Sequence, residues 1–262
     1  MQALQAAIFD LDGLLVDSEP IWHRAELAVF GSLGLPLTLD DVLSTKGRYV
    51  GEVVEHWYRR FPWSGPTIAE VVSAIVEAVE ALLRTDAELK PGARQAVDFL
   101  RGEGLALAVA SSSPQRLIEA ALRRHHLRHA FAVVRSADAE AAGKPDPAVF
   151  LSTARLLGVD PRRCLVLEDS ATGVAAALAA GMVCVAVPEQ PPADLAGLGP
   201  VDAVLHSLHQ VDRSLWDVLG RAPARLGASP VPATGQTLGG DVDGSAGAAA
   251  RPGSSPAPPA GQ

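Results

Sequence analysis

Four short apolar runs, each stopping at a polar or turn-forming residue, leave this chain few folds to choose from. Residues 4–9 (LQAAIF) stop at Asp10, 104–110 (GLALAVA) at Ser111, 164–167 (CLVL) at Glu168 and Asp169, and 183–187 (VCVAV) at Pro188. Apolar runs of this length, bounded by turn signals and alternating with helical patterns, read as strands buried on both faces of a parallel sheet. The spacing predicts helices over 91–103, 114–126, 146–157 and 171–180, with Pro91 and Pro147 suited to first turns and Gly181 to a stop. The expected class is therefore α/β, a doubly wound, Rossmann-like, mainly parallel sheet.

The connection from the first strand to the second is too long for one crossover, at roughly 85 residues. Within it, 20–33, 50–60 and 66–84 carry apolar residues near a 3.6 period, broken at Gly34–Pro36 and Phe61–Pro66. An all-helical cap over 17–88 is expected, inserted into a core made of 1–16 and 89–220. From 221 to 262 the composition falls to Ala, Gly, Pro and Ser, which cannot bury enough apolar surface to offset ordering entropy, so a disordered tail is expected.

Composition excludes several classes. With 22 Lys and Arg against 30 Asp and Glu, the formal charge is −8, which argues against broad nucleic-acid binding. The basic stretch Arg123–His129 reads as a solvated helix end, where cations suit the dipole. Two cysteines, Cys164 and Cys184, make no disulfide framework. No apolar run reaches the roughly 18 residues of a membrane span, and the N-terminal pattern is not that of a secretory signal. A soluble, cytoplasmic protein with no membrane partner is expected, and nothing demands more than a monomer.

The chemistry gathers at the strand ends. Ligands of doubly wound sheets bind beyond the carboxyl ends of the strands. There the chain places Asp10-Leu11-Asp12-Gly13, Ser111-Ser112-Ser113 and Glu168-Asp169-Ser170, with Lys144 between Gly143 and Pro145 at the entry to another helix. Taken singly, these read as a turn, a helix N-cap, a loop and a solvated lysine. Taken together they form a coherent set. Carboxylates so close repel one another, and a hard dication with oxygen ligands, best Mg²⁺, is their natural neutraliser. A phosphate ester would complete the site. Asp10 can attack phosphorus, while Asp12 can protonate the leaving alcohol and then deprotonate water. Ser111 and nearby backbone N–H groups can hold phosphate oxygens.

The segments FDLDGLLVDSEP, VASSSP, GKPDP and LEDSATG resemble, in order, the four motifs of the haloacid dehalogenase superfamily, and most closely its β-phosphoglucomutase-like subgroup with a helical cap. The resemblance covers about residues 5–220. It implies Asp10 as nucleophile, Asp12 as general acid and base, and Ser111, Ser112 and Lys144 as phosphate holders. It also implies Mg²⁺ bound by Asp10, the Asp12 backbone carbonyl and Asp169, with Glu168 supporting the metal site. The stretches RAELAVFGSLGLPL and WYRRFPWSGPT are similar to the cap of bacterial phosphatases acting on hexitol and 2-deoxyglucose 6-phosphates. The expected activity is hydrolysis of small sugar or sugar-alcohol phosphates through an aspartyl phosphate.

Other readings stay open. A sugar-phosphate mutase is the nearest, although such mutases usually place a His where this chain has Trp22, and His23 stands next to it. Lys46 and Arg48, with Trp22 and His23, are the cap candidates for touching substrate. A dehalogenase would not need Asp12, and a phospho-accepting switch domain would not need so long a chain. A sugar-phosphate binding module is the non-enzyme alternative. The aromatic stretch Trp57, Tyr58, Phe61 and Trp63 reads as cap core, with Trp63 a candidate for the substrate face.

Overall fold

Side-chain alternation along a buried strand explains how the sheet is covered. In the computed structural model, which describes residues 3–45, 48–189 and 201–221, strand β1 spans Ala6–Phe9 and all four of its side chains are buried. Ala7 and Phe9 point into one apolar layer, Ala6 and Ile8 into the other. A strand sandwiched in this way must be apolar throughout, so its sequence is continuous rather than alternating.

The described elements follow β1 in order. Strand β2 is Val16–Asp17, and four helices come next: α1 Glu19–Ser32, α2 Leu39–Leu43, α3 Val50–Arg60 and α4 Ile68–Thr85. Then come β3 Glu88–Leu89, α5 Ala93–Gly102, β4 Ala106–Ser111, α6 Gln115–Arg124, β5 Val133–Ser136 and α7 Ala148–Leu157. The chain continues through β6 Cys164–Glu168, α8 Ala171–Ala179, β7 Val183–Ala186, β8 Ala203–Val204 and α9 Arg213–Arg221. The main sheet has the order β5-β4-β1-β6-β7-β8, with every pairing parallel. Helices α5 and α6 cover one face, and α7 and α8 the other.

Between β2 and β3 the chain is helical, and the two strands pair antiparallel as a ribbon, Val16 opposite Leu89 and Asp17 opposite Glu88. Within this insertion α1 packs on α4, and α4 also packs on α6. Capping boxes start α2 (Thr38 with Asp41) and α4 (Thr67 with Glu70), satisfying backbone N–H groups that would otherwise lack partners. Trp57 is buried and stacks on Phe61, while Trp63 donates its indole N–H to the Pro66 carbonyl and leans on Phe30 and Tyr58.

Several expectations need correction. Ser111–Ser113 is not the N-cap of α6: Ser111 ends β4, and the cap position is Pro114, with no side-chain capping bond. Pro91 lies ahead of the α5 cap, Gly92, and Pro147 occupies the α7 cap position rather than the first turn. Strand β5, the two-residue ribbon, α2, β8 and α9 have no counterpart in the sequence reading. Gly181 does stop α8, at a left-handed φ of 71°. The expected tail lies, from residue 222, outside the described residues. Among the described residues no helix is long and apolar enough to cross a membrane.

Candidate active site

Register builds the site. Phe9 pairs with Val109 on one side and Leu167 on the other, so Asp10, Ala110 and Glu168 reach the carboxyl edge together. The Asp10 backbone N–H still bonds to the Leu167 carbonyl at 3.0 Å, holding the nucleophile candidate at the end of the ladder. This is the edge where the strand order reverses about β1, the place at which open α/β sheets leave a crevice.

Lys144 enters this edge from the loop before α7. Its ammonium lies 2.5 Å from Asp10 Oδ1 and 3.1 Å from the Ala110 carbonyl, and it also pairs with Glu168 Oε1. Its side chain is only 5% exposed and lies over the Phe150 ring, 4.9 Å from the centroid. The solvated-lysine reading is thus overturned. Burial works against the lysine's charge, but Asp10 and Glu168 outweigh it and hold its pKa above the usual value.

Glu168 is fully buried. Besides Lys144, its carboxylate accepts from the Ser170 N–H at 3.1 Å and the Ser170 hydroxyl at 3.0 Å. The Ser170 hydroxyl in turn accepts from the Gly173 N–H at 3.1 Å, capping α8. Gly173 is a glycine for steric reasons, since a Cβ there would collide with the Glu168 carboxylate. Gly13 plays the same part opposite Asp169, in a turn that also requires φ +81°.

Asp12 is held by hydroxyls. Its Oδ2 accepts from Ser113 Oγ at 2.7 Å and from Ser111 Oγ at 3.2 Å. Ser111 Oγ accepts from the Ser113 N–H at 3.0 Å, and Ser136 Oγ donates to the Ser113 carbonyl at 2.7 Å. The resemblance names Ser111 and Ser112 as phosphate holders; of the three serines at this edge Ser112 is exposed, and Ser113 turns inward to Asp12. An extended backbone leaving a strand sends alternate side chains to opposite sides, a signal available in the triple-serine run. Phe150, under Lys144, carried no sequence signal of its role.

Electrostatics shows what the site favours. Burial pushes the Asp10 carboxyl well above its ordinary range; Lys144 opposes this, while Glu168, Asp169 and Asp12 add to it. Burial, then Glu168, pushes Asp169 up to about 7. Asp10, Asp12, Glu168 and Asp169 are thus four carboxylates facing one ammonium. Among the described residues no three His, Cys, Asp or Glu side chains meet as a cage. The donors on offer are hard oxygens with an excess of negative charge, and they suit a hard dication completed by backbone, water or substrate oxygens.

Of the candidates in the helical insertion, Trp22 is half-buried against the apolar core, and His23 Nε2 lies 3.3 Å from Glu19 Oε2 on the same helix. Arg48 is exposed in the turn before α3, and Lys46 lies outside the described residues.

A sheet edge with a buried Asp–Lys–Glu set and a serine-held second aspartate defines a class. The family model described as haloacid dehalogenase-like hydrolase matches residues 4–181, and the chain belongs to that family. It is a hydrolase of the phosphatase type. Over 184 residues it is 44% identical to hexitol phosphatase B of Escherichia coli, covering 70% of this chain and 83% of that protein. It is 35% identical to the phosphorylated carbohydrates phosphatase of Thermotoga maritima, over 68% of this chain and 82% of the other. Among solved structures, CbbY from Rhodobacter sphaeroides in complex with phosphate superimposes with a TM-score of 0.71 at 27% identity, over 82% of this chain and 99% of that one.

Proposed function

We propose that this protein is a Mg²⁺-dependent phosphatase of small sugar or sugar-alcohol phosphates, of the hexose or hexitol 6-phosphate type, working through an aspartyl phosphate on Asp10. The observation that carries the reading is the pair of aspartates two residues apart with different partners. Asp10 meets the Lys144 ammonium, and Asp12 is held by Ser113 and Ser111. Two carboxylates in separate environments can take separate roles in one reaction.

In this mechanism Asp10 attacks phosphorus and the ester oxygen leaves, taking a proton from Asp12. Asp12 then removes a proton from water, which attacks the phosphoryl group and frees Asp10. The serine bonds fix the Asp12 carboxyl on the leaving-group side. Lys144, anchored by Glu168, keeps Asp10 oriented and supplies positive charge beside the phosphoryl oxygens, with Ser111 and backbone N–H groups of the β4–α6 turn as donors. Asp10 and Asp169, with the Asp12 backbone carbonyl, would hold Mg²⁺, and Glu168 would support them. When bound, the ion neutralises the carboxylates and the transferring phosphoryl group. The helical insertion 17–88 acts as a cap on the core formed by 1–16 and 89–220, excluding bulk water while Asp12 works. The names of the relatives, a hexitol phosphatase and a phosphorylated carbohydrates phosphatase, support the substrate class.

The test is phosphate release from a panel of hexose, hexitol and pentose phosphates with Mg²⁺ and with EDTA. Metal-dependent release, strongest on 6-phosphates, is expected. Conversion of β-glucose 1-phosphate and glucose 1,6-bisphosphate into glucose 6-phosphate without matching phosphate release would make the protein a mutase instead.

A further inference from the structure

Buried polar atoms without a hydrogen-bond partner are uncommon in folded proteins and ask for an explanation. Among the described residues four side-chain atoms are in this state, and two of them, Ser18 Oγ and His23 Nε2, belong to the start of α1. His23 Nε2 lies near Glu19 Oε2, but the pair is not aligned as a hydrogen bond. A turn further on, the Glu26 side chain is buried, with 7% of the residue exposed. It has neither a hydrogen bond nor an ion pair with any described residue, and a carboxyl group in that state is costly.

These groups start at the catalytic turn. The Val16 carbonyl accepts from both the Gly13 N–H (2.9 Å) and the Ser18 N–H (3.0 Å), and the Ser18 carbonyl accepts from Ile21 and Trp22. The foot of α1 is thus bonded to the turn that carries Asp12. Glu19, His23 and Glu26 follow at helical spacings of four and three, which places them on one face of α1. At 1.5 Å per residue they span about 10 Å, enough for the carbon chain of a hexitol running away from its phosphate.

We propose that Ser18, His23 and Glu26 form a wall that binds the hydroxyl groups of the substrate's uncharged end, and that Glu26 sets the preference for a polyol there. The inference rests on the sugar-phosphatase reading above. Burial and the neighbouring Glu19 push the Glu26 carboxyl up to about 7, so near neutrality much of it is protonated and can both donate to and accept from a hydroxyl. A hydroxyl, imidazole and carboxyl series suits vicinal hydroxyls.

The experiment compares kcat/KM for a hexitol 6-phosphate with that for p-nitrophenyl phosphate, an ester with no hydroxyl to read, in wild type, Glu26→Leu and Glu26→Gln. Glu26→Leu should lower the ratio of the two values at least tenfold, mainly through KM for the hexitol ester. Glu26→Gln, which keeps a donor and an acceptor, should restore the ratio to within about threefold of wild type. An unchanged ratio in Glu26→Leu, or both substrates falling together, overturns the proposal in favour of a purely structural Glu26. Should Glu26→Leu fail to fold, Ser18→Ala reads the same ratio, where a severalfold fall is expected and an unchanged ratio is fatal. A wild type that cleaves p-nitrophenyl phosphate but no sugar or hexitol phosphate removes the substrate reading itself, a result distinct from either outcome in the variants.

Discussion

Replacing Glu26 by glutamine should stabilise the protein at alkaline pH and do so progressively less as the pH falls. In the folded chain the Glu26 carboxyl is pushed from 4.5 up to about 7, first by burial and then by Glu19. The folded state therefore holds this proton more tightly than the unfolded state does. Stability linked to Glu26 is fully present below pH about 4.5 and is lost as the pH climbs to about 7. Each pH unit of that interval is worth about 1.36 kcal/mol, so the full loss is about 3 kcal/mol. Glutamine has the same shape and no proton to lose. From pH 5, where a little of the loss has already occurred, to pH 8, the gap between variant and wild type should open by about 2.5 kcal/mol. Urea unfolding at several pH values measures it directly: with a slope of about 2–3 kcal/mol per molar, the midpoints should separate by about 1 M more at pH 8 than at pH 5. Parallel stability curves, with a gap that does not change with pH, would refute the placement of an ionisable Glu26 in a buried setting.

Three further outcomes follow from the site. Asp10→Asn should abolish phosphate release while leaving the thermal transition intact, because an amide is a poor nucleophile; turnover at the wild-type rate would remove Asp10 from its role. Ser113→Ala should lower kcat about tenfold and Ser112→Ala should change it little, since Ser113, unlike Ser112, donates to Asp12; steady-state kinetics with these two serines reversed in importance would contradict the geometry. Lys144→Met leaves Asp10 and Glu168 buried together without their countercharge, so denaturant unfolding should show a loss of about 3–5 kcal/mol at neutral pH, and an equally stable variant would argue against the buried pairing.

How much of this was legible in the sequence depends on the kind of signal each element leaves. The strands that carry the site were readable because strands buried on both faces must be apolar along their length, as β1 is, and as β4 and β6 are up to the Ser111 and Glu168 that end them. Strand β5 lies at the sheet edge, is half-buried and contains Arg135, which pairs with Glu140, so only two of its four residues are apolar. The β2–β3 ribbon is two residues long on each side, below the reach of any periodic pattern. At the site, Asp10, Asp12, Glu168 and Asp169 were visible as polar residues ending apolar runs. Lys144 could not be told from a surface lysine by its neighbours, because Asp10 lies 134 positions away and is brought to it only by the sheet. The inward turn of Ser113 was open to the alternation of an extended backbone after Ser111, but not to residue type, since the three serines are identical. On the helical face of Glu19, His23 and Glu26 only His23 stood out in the sequence, for a related reason: a glutamate in an amphipathic helix reads as solvent-facing until packing shows otherwise.

The β2–β3 ribbon has a further consequence. Because the chain leaves the core at Val16–Asp17 and returns at Glu88–Leu89 on directly paired strands, the two ends of the helical insertion are one strand spacing apart, about 5 Å. Any module whose termini lie that close could be spliced at the same seam, and a two-residue turn would close the gap left by removing it. The strand ends that carry the reacting groups would not have to shift in register. On the proposed reading of the insertion as a cap, the architecture lets recognition be rewritten as an exchangeable cassette while the chemistry stays fixed, and chimaeras joined at this ribbon would transplant one substrate preference onto another catalytic edge.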